Sequence, residues 1–351
     1  MIINTIEIGN KRVGPNNMAL IVAEAGVNYN NKLHIAYKMI DAAIKAKVDV
    51  IKFQSFIADE IQFKNSKKPQ YQNKLKNQSY YQIIKSLEPS FDDQVKIFEY
   101  CKKRKILFLS TPYDIKSVDF LDDLGVNAFK IASTDLTNHI LLKHVLSKRK
   151  PILLSTGLAD LSMVSQAVKL FEKFRMKHNL ILLQATSNYP TQEKDVNLKI
   201  IPEYMKKFNV LAGYSDHTLS GVAAYGAITM GAKVVEKHFT LSRKMIGPDH
   251  SSSLEPHELE NWVRNIRLIE QALGTSKKSV THSERMNASM RKVLTIGPMK
   301  KGSTISIELL GTKRTNGHGV LPLDINIKKI IGRKINRNVF STTQFDWSML
   351  L

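Results

Sequence analysis

Short apolar runs alternate with amphipathic helical segments over most of this 351-residue chain, and this alternation limits its fold more than any other feature. Eight of the runs have the length and the β-branched content of buried strands. They cover residues 19–26, 48–54, 106–112, 128–133, 151–156, 180–187, 209–216 and 233–239. Each is followed by a helical pattern, and the last helix has a cap-like start and ends at Gly274. Eight such units predict an α/β fold of the (β/α)₈, or TIM-barrel, type.

The remaining segments indicate how the chain is divided. Residues 1–275 are predicted to form the barrel, residues 276–290 a polar linker, and residues 291–351 a small β-rich domain with glycine turns that packs on the barrel. Residues 55–90 are rich in Lys, Asn, Gln and Tyr, and are predicted to be an insertion too polar for the core. The alternative fold is an open doubly wound sheet, which the lack of a glycine-rich phosphate fingerprint after the first strand disfavours.

Composition excludes several classes of protein. The chain has 43% hydrophobic residues but no apolar run long enough to span a membrane. Its beginning, MIINTIEIGNKRVG, lacks the layout of a signal peptide. The single cysteine, Cys101, cannot form an internal disulfide. These features predict a soluble cytoplasmic protein with no membrane partner.

The net charge of +21 would suit a nucleic-acid-binding protein. The lysines, however, are spread over predicted helix faces and loops, without a basic arm or interleaved aromatic residues. Such a pattern is typical of a solvated surface. We therefore expect no nucleic-acid partner, and a field that favours anionic metabolites.

Polar side chains stand at the carboxyl ends of the predicted strands, where barrels of this type carry their functional residues. They are Glu24, Lys52, Gln54, Ser110, Thr111, Lys130, Ser133, Ser155, Thr156, Thr186, Ser187, Tyr189, Ser215, Asp216, His217, Glu236 and His238. Hydroxyls with two lysines and two histidines suggest a site for a small anion and a metal ion. Individually, the Ser and Thr residues equally well cap the next helix.

The two lysines are the strongest of these signals. Lys52 and Lys130 lie within the apolar runs VIKFQ and FKIAS. Because an unpaired buried lysine is costly, we favour a functional role for both. They and the hydroxyls would hold a phosphate and a carboxylate through charge-assisted hydrogen bonds.

The two histidines lie 21 residues apart, at the ends of the last two predicted strands. Parallel neighbouring strands are about 5 Å apart, so His217 and His238 could share one metal ion, although either alone would more often be a core residue. No third protein ligand is evident, and imidazoles leave the identity of the metal undecided. Such an ion could polarise an aldehyde. Beside a phosphorylated anion, this suggests carbon–carbon bond formation.

Several motifs resemble one known family over nearly the whole chain. They are AEAGVNYN, VIKFQSF, LSTPYD, FKIAS, LLSTG, TSNYP, DVNL, GYSDHT, EKHFTL, GPDHSSSLEP and TKRTNGHGV. The chain is similar to the sialic acid synthases, which include N-acetylneuraminate and legionaminate synthases and condense phosphoenolpyruvate with an amino-sugar aldehyde. The resemblance implies a TIM barrel with a C-terminal antifreeze-like (SAF, β-clip) domain, in a domain-swapped homodimer.

The resemblance also implies a role for each matching residue. His217 and His238 would bind a divalent metal, usually Mn²⁺, with Mg²⁺ or Co²⁺ as alternatives. Phosphoenolpyruvate would be held by Lys52, Thr111, Lys130, Ser133, Ser155, Ser187 and Ser215, and Glu24 would transfer protons at the reacting carbons. The sugar would be held by Gln54, Asp135, Tyr189, Asp249 and Arg314, with Arg314 donated by the antifreeze-like domain of the partner. An Asp in GPDH, such as Asp249, could equally be a turn former.

Departures from the family pattern concern the acceptor sugar. Asp135 stands where many N-acetylneuraminate synthases have a glutamate, Ser187 where some members have asparagine or threonine, and Thr315 where a proline usually follows the arginine. N-acetylmannosamine is the first expected acceptor. The second is 2,4-diacetamido-2,4,6-trideoxymannose, which gives N,N'-diacetyllegionaminate, and the pseudaminate branch is disfavoured.

Two other classes of function stay open. One is another barrel enzyme, such as a metal-dependent aldolase or a keto-acid phosphate synthase, which would leave the arginine-bearing C-terminal domain unexplained. The other is a non-catalytic carbohydrate-binding protein, which the intact set of strand-end residues disfavours.

Overall fold

The computed structural model describes residues 4–68, 79–316 and 318–351. The chain divides into two compact units between Gly274 and Thr275. Among the residues described, no helix is long and apolar enough to cross a membrane.

The first unit is built on a sheet of eight parallel strands, preceded by an antiparallel hairpin of β1 (Ile6–Ile8) and β2 (Lys11–Val13). The eight strands are β3 (Leu20–Gly26), β4 (Val50–Ser55), β5 (Leu107–Pro112), β6 (Phe129–Ile131), β7 (Ile152–Ser155), β8 (Leu180–Ala185), β9 (Leu211–Asp216) and β10 (Val234–His238). Their order is β5-β4-β3-β10-β9-β8-β7-β6, and the terminal strands β5 and β6 also lie side by side, with Cα atoms within 8 Å. The predicted (β/α)₈ barrel is confirmed, with a strand at each of the eight predicted positions.

Helices connect the strands. They are α1 (Leu33–Lys45), α2 (Ala58–Ile61), α3 (Tyr80–Leu87), α4 (Phe91–Arg104), α5 (Ile115–Leu124), α6 (His139–Ser147), α7 (Leu161–Lys173), α8 (Ile200–Phe208), α9 (Val222–Thr229) and α10 (Pro256–Leu273). Side chains of Ser90, Asp114, Asn138 and Asp160 accept hydrogen bonds from the first turns of α4 to α7. These caps satisfy amide groups that have no partner within the helix, which fixes where each helix starts.

Apolar side chains fill the amino-terminal half of the barrel. Those that point inward include Leu20, Val22, Val50, Leu109, Leu153, Ile181, Leu183, Leu211 and Val234. Ile6, Ile8 and Val13 of the hairpin join the same cluster and close this end of the barrel. Strands of three residues are too short to show a periodicity, so the sequence did not predict this hairpin. With one end packed, the carboxyl end is the end open to a ligand.

Replacing Ile8 by alanine should lower the free energy of unfolding by about 2–5 kcal/mol, because Ile8 is 1% exposed and a cavity would remain. Glu7→Ala, at the exposed position of the same strand, is the matched control and should change stability by less than about 0.5 kcal/mol. Chemical denaturation measures both variants. Equal stability of the two would show that the hairpin contributes little to the core.

The 55–90 insertion was predicted to be too polar for the core, but part of it is buried. Phe56, Ile83 and Leu87 are buried, and they pack with Val27 in a small separate cluster. Ile83 and Leu87 are four residues apart, so they lie on one face of α3. A few apolar residues on one helix face are enough to form a buried cluster, even in a segment that is polar on average. Residues 69–78 of the insertion lie outside the described part of the chain.

The second unit contains a three-stranded antiparallel sheet with the order β12-β11-β13. Its elements are α11 (His282–Met286), β11 (Lys292–Ile296), β12 (Leu310–Arg314), α12 (Asp324–Ile330) and β13 (Thr343–Gln344). Its core includes Leu294, Ile296, Ile330 and Phe345. The predicted linker 276–290 is exposed but not wholly irregular, because Thr281 and Glu284 form a capping box that starts α11. The antifreeze-like assignment stays a prediction.

Candidate functional site

A cavity of about 830 Å³ lies at the carboxyl ends of the barrel strands, and we call it the main cavity. The structure brings together in its lining all fourteen predicted site residues of the barrel: Glu24, Lys52, Gln54, Thr111, Lys130, Ser133, Asp135, Ser155, Ser187, Tyr189, Ser215, His217, His238 and Asp249. The remaining predicted residue, Arg314, is an exposed residue of the second unit, where it ends β12. The roles assigned to these residues stay predictions.

Four other polar residues at the strand ends do not line the main cavity and form hydrogen bonds or ion pairs outside it. The Ser110 hydroxyl lies 2.7 Å from that of Ser55, and Thr156 Oγ1 donates to the Leu183 carbonyl at 3.0 Å. Thr186 Oγ1 donates to the Asp195 carbonyl, and Asp216 forms an ion pair with buried Lys237. Alternation along a strand explains why Thr111 lines the cavity while its neighbour Ser110 does not.

Two lysines and two glutamates form a charged cluster at the base of the main cavity: Glu24, Lys52, Lys130 and Glu236. Lys52 Nζ lies 2.7 Å from Glu24 Oε2 and 3.5 Å from Glu236 Oε1, and Lys130 Nζ lies 3.9 Å from Glu236 Oε1. All four side chains are at least 95% buried. Buried charges of this kind persist only when paired, and with all four groups ionised they sum to zero.

Glu236 was noted in the sequence as a strand-end residue but was given no role. It precedes His238 by two residues on β10, so the two side chains share one face of the strand. It also accepts a hydrogen bond from Ser215 at 3.3 Å. The alternation along β10 was therefore a signal that could have placed Glu236 in the site.

Burial shifts the pKa values within the charged cluster. It raises the pKa of Glu24 to about 7, although Lys52 opposes the rise, and it lowers the pKa of Lys130 to about 8. Burial would also lower the pKa of Lys52, but Glu236 and Glu24 outweigh it and raise that pKa. Burial would raise the pKa of Glu236, but Lys130 and Lys52 lower it overall. Glu24 and Lys130 are thus the members that change charge near neutral pH.

Hydroxyl groups line the main cavity together with the two lysines. Lys52 Nζ donates to Thr111 Oγ1 at 3.1 Å, and the Ser133 hydroxyl accepts from the Gly157 amide at 2.9 Å. The buried Ser155 hydroxyl has no hydrogen-bond partner among the residues that the structure describes. A larger residue at Gly157 would displace the hydroxyls of Ser187 and Ser133, because its Cβ would collide with both. Cations and free hydroxyl donors in a buried cradle are what a small oxyanion needs.

The two histidines face each other across the parallel pair β9 and β10, with ring centroids 5.8 Å apart. His217 Nδ1 lies 2.8 Å from the Thr186 carbonyl oxygen, which can only accept, so Nδ1 is protonated and Nε2 carries the lone pair. Burial lowers the pKa of His217 to about 4 and that of His238 well below its usual value. Both rings are therefore neutral, which is the form that binds metals.

This pair fits a metal ion whose other ligands are not protein side chains. The buried His238 Nδ1 has no partner within the described ranges. In the same ranges no group of three or more His, Cys, Asp or Glu residues is arranged to hold a metal. Two imidazoles alone would leave coordination positions for water or substrate oxygens, as the sequence predicted.

Two further acidic side chains, Asp135 and Asp249, line the main cavity. Asp135 accepts hydrogen bonds from Asn138 at 3.0 Å and from Thr134 at 3.2 Å, and burial raises its pKa. Burial raises the pKa of Asp249 to about 6. These groups offer acceptors for the hydroxyl or amide donors of a neutral polar ligand.

The fold and the site define a TIM-barrel protein with buried lysines, glutamates and hydroxyls and two neutral imidazoles at the carboxyl ends of the barrel strands. Residues 39–278 match the NeuB family. Two N,N'-diacetyllegionaminic acid synthases are similar to the chain. The one from Legionella pneumophila is 37% identical, and the match covers 97% of this chain and 96% of the relative. The one from Campylobacter jejuni is 39% identical, and the match covers 89% of this chain and 95% of the relative. A crystal structure of N-acetylneuraminic acid synthetase from Leptospira borgpetersenii covers 82% of this chain and 96% of its own, with 33% identity and a TM-score of 0.74. The chain belongs to the NeuB family.

Proposed function

We propose that this protein is a nonulosonic acid synthase, which condenses phosphoenolpyruvate with an N-acyl amino sugar and releases phosphate. The observation that carries the proposal is the main cavity, where an anion cradle around Lys52 and Lys130 adjoins the neutral pair His217 and His238. An anion cradle serves phosphoenolpyruvate, and a metal on the imidazoles serves an aldehyde. Membership of the NeuB family supports the same reaction.

The acceptor that we propose is 2,4-diacetamido-2,4,6-trideoxymannose, with N,N'-diacetyllegionaminate as the product. The support is that the two relatives with that name are 37% and 39% identical to the chain. N-acetylmannosamine, which the sequence motifs put first, is the second candidate. It is favoured by the structurally similar N-acetylneuraminic acid synthetase, at 33% identity.

In the proposed reaction, C3 of phosphoenolpyruvate forms a bond to the aldehyde carbon and water adds at C2. The C2–O bond to phosphate then breaks. Lys52 and Lys130 would offset the charge of the phosphate and carboxylate throughout. Glu24, held by Gln54 at 3.1 Å and by Lys52, would take or give the proton at the reacting carbons. Its pKa of about 7 suits both directions of transfer at neutral pH.

A divalent metal ion is part of the proposal, with Mn²⁺ first and Mg²⁺ or Co²⁺ as alternatives. His217 and His238 would hold it, and it would supply Lewis acidity toward the aldehyde oxygen. The orientation of His217 by Thr186 is the protein's own contribution, since it presents Nε2 before any ion arrives.

The sequence motif TKRTNGHG supports a role for the second unit. We propose that it is an antifreeze-like domain, and that Arg314 reaches the acyl-amino group of the sugar in the partner of a domain-swapped homodimer. A cytoplasmic location belongs to the proposal because phosphoenolpyruvate is a cytoplasmic metabolite.

One assay tests the proposed function. The full chain is mixed with phosphoenolpyruvate, Mn²⁺ and either candidate sugar, and phosphate release is followed together with the mass of the acid product. Phosphate and a nine-carbon acid with either sugar would support the synthase, and the preferred sugar would identify the acceptor. No phosphate with any N-acyl amino sugar would contradict it.

The pH profile of kcat/KM should have an acid limb near pH 7 and a basic limb near pH 8. Glu24 must lose its proton to act as a base, and Lys130 must keep its proton to bind the anion. Glu24→Gln should reduce turnover and abolish the acid limb while leaving the basic limb in place. An acid limb with the same midpoint in Glu24→Gln would show that another group titrates there.

A further inference from the structure

A buried ion pair lies outside the main cavity. Lys237 Nζ is 3.3 Å from Asp216 Oδ2, and the two side chains are 1% and 0% exposed. In the described ranges, the other ion pairs with both side chains less than 10% exposed all belong to the charged cluster. A buried ion pair is often no more stabilising than apolar residues of the same volume. The proposed function gives this pair no role, so its burial needs another explanation.

The pair lies directly behind the two histidines. Asp216 precedes His217, Lys237 precedes His238, and Asp216 and Lys237 are opposite each other in the parallel ladder of β9 and β10. Successive side chains of a strand point to opposite faces of the sheet. The histidines therefore face the main cavity and the ion pair faces the helices, where a Cβ on Gly221, the residue before α9, would be 3.5 Å from Lys237 Cε.

Both members of the pair hold Thr218, the residue that follows His217. The amide and the hydroxyl of Thr218 each donate to Asp216 Oδ1 at 2.8 Å, and Lys237 Nζ donates to the Thr218 carbonyl. The Tyr214 hydroxyl donates to the same Asp216 oxygen at 3.2 Å. We call Asp216, Thr218 and Lys237 the Thr218 network. It joins the residue before His217 to the residue after it.

His217 needs such support more than His238 does. His238 is the last residue of β10, and it is paired with Glu24 in the ladder between β10 and β3. His217 lies one residue beyond the end of β9, past the last residues that β9 pairs with β8 and β10. Its carbonyl accepts a hydrogen bond from the Thr191 amide at 2.8 Å, in the loop that follows β8. The position of His217 therefore depends on loop contacts and on the Thr218 network.

We propose that Asp216 and Lys237 are positioning residues, whose contacts with Thr218 fix His217 where it and His238 can bind one metal ion. The inference rests on the metal-binding part of the proposed function, and it adds two residues that face away from the ion and the substrates. Metal ligands must be held within about 0.5 Å of the binding geometry. Replacing residues that orient such ligands lowers metal affinity by about ten- to a hundredfold.

The test removes the pair without leaving a buried charge. In the double variant Asp216→Asn/Lys237→Met, the asparagine oxygen can still accept from Thr218, but the ammonium group and its bond to the Thr218 carbonyl are lost. Removing both charges avoids the larger penalty of a single unpaired one. Electron paramagnetic resonance of added Mn²⁺, without substrates, measures the dissociation constant of the full chain. We expect that constant to rise by about ten- to a hundredfold, while thermal unfolding shows a folded protein.

Asp49→Asn/Arg267→Met is the matched control for a general loss of stability. Arg267 Nη2 lies 2.6 Å from Asp49 Oδ2, and Asp49 directly precedes β4, at the amino-terminal end of the barrel. This variant also loses a partly buried ion pair, but neither residue lines the main cavity. Its Mn²⁺ dissociation constant should stay within about twofold of wild type, because distant sites act independently.

Thr218→Val is a second, milder variant that leaves the ion pair in place. Valine is close to threonine in shape, and the change removes the hydroxyl that donates to Asp216 and accepts from the Gly221 amide at 3.2 Å. Mn²⁺ binding should weaken by about two- to tenfold, the equivalent of one hydrogen bond. Thr218→Ser keeps the hydroxyl and should bind Mn²⁺ as wild type does. If the double variant does not fold, the comparison of Thr218→Val with Thr218→Ser decides.

The outcomes separate the inference from the proposed function. A folded double variant with wild-type Mn²⁺ affinity would overturn the positioning role and leave the proposed function standing. An equal loss of affinity in Asp49→Asn/Arg267→Met would also overturn it, since affinity would then follow stability alone. A wild-type chain that binds none of Mn²⁺, Mg²⁺ and Co²⁺ would overturn the proposed metal and the inference together.

Discussion

Replacing Lys130 by methionine should lower kcat/KM for phosphoenolpyruvate by about a hundred- to a thousandfold, the range for losing one preorganised charge-stabilising group. Methionine keeps a flexible apolar stem and removes only the ammonium group. Lys130 Nζ donates to the Ile131 carbonyl at 3.1 Å and lies 3.9 Å from Glu236, so it is held loosely enough to serve a ligand. Steady-state phosphate release at varied phosphoenolpyruvate measures the effect.

Lys130 is a sharper probe than Lys52. Removal of Lys52 would leave both Glu24 and Glu236 without their closest cation, which costs about 3–5 kcal/mol for a buried pair. A loss of activity could then reflect unfolding. Lys96→Met, at an exposed lysine of α4, is the control, and its kcat/KM should stay within about twofold of wild type. Unchanged kcat/KM in folded Lys130→Met would remove the lysine from the anion cradle.

The barrel could be predicted because parallel strands covered by helices are buried on both faces and therefore read as continuous apolar runs. Such runs are distinct in this sequence, and all eight coincide with observed strands. The polar residues at the carboxyl ends of the strands then predicted which residues line the site. Lys52, Thr111 and His238 lie within or at the end of strands whose register is set by the barrel, so their convergence followed from the fold.

The sequence could not predict which side chains of different strands contact each other. Glu236 was visible as a strand-end residue, but its position between Lys52 and Lys130 depends on the closure of the barrel. The buried cluster of the 55–90 insertion was missed for another reason. Ile83 and Leu87 belong to a segment whose mean composition is polar, and composition averages over the two faces of a helix. A helical reading of residues 80–87 alone would have separated the buried face from the exposed one.

Replacing His217 by alanine should abolish high-affinity Mn²⁺ binding and reduce metal-dependent turnover by at least about a hundredfold, because a bound metal supplies several kcal/mol of charge stabilisation. His217 is the better of the two proposed ligands to remove, since its Nδ1 already donates to Thr186 and its Nε2 faces Ser215 at 3.4 Å. Electron paramagnetic resonance of added Mn²⁺ reports binding independently of turnover.

His257→Ala is the matched control, because His257 is an exposed histidine in the first turn of α10 and does not line the main cavity. Its Mn²⁺ affinity and turnover should equal those of wild type. Tyr189 packs on His217 with ring centroids 4.2 Å apart, so thermal unfolding of His217→Ala must be measured alongside. A folded His217→Ala protein that still binds Mn²⁺ tightly and turns over at the wild-type rate would disprove the metal assignment. A protein that loses Mn²⁺ but keeps its rate would instead show that the aldehyde is activated without the metal.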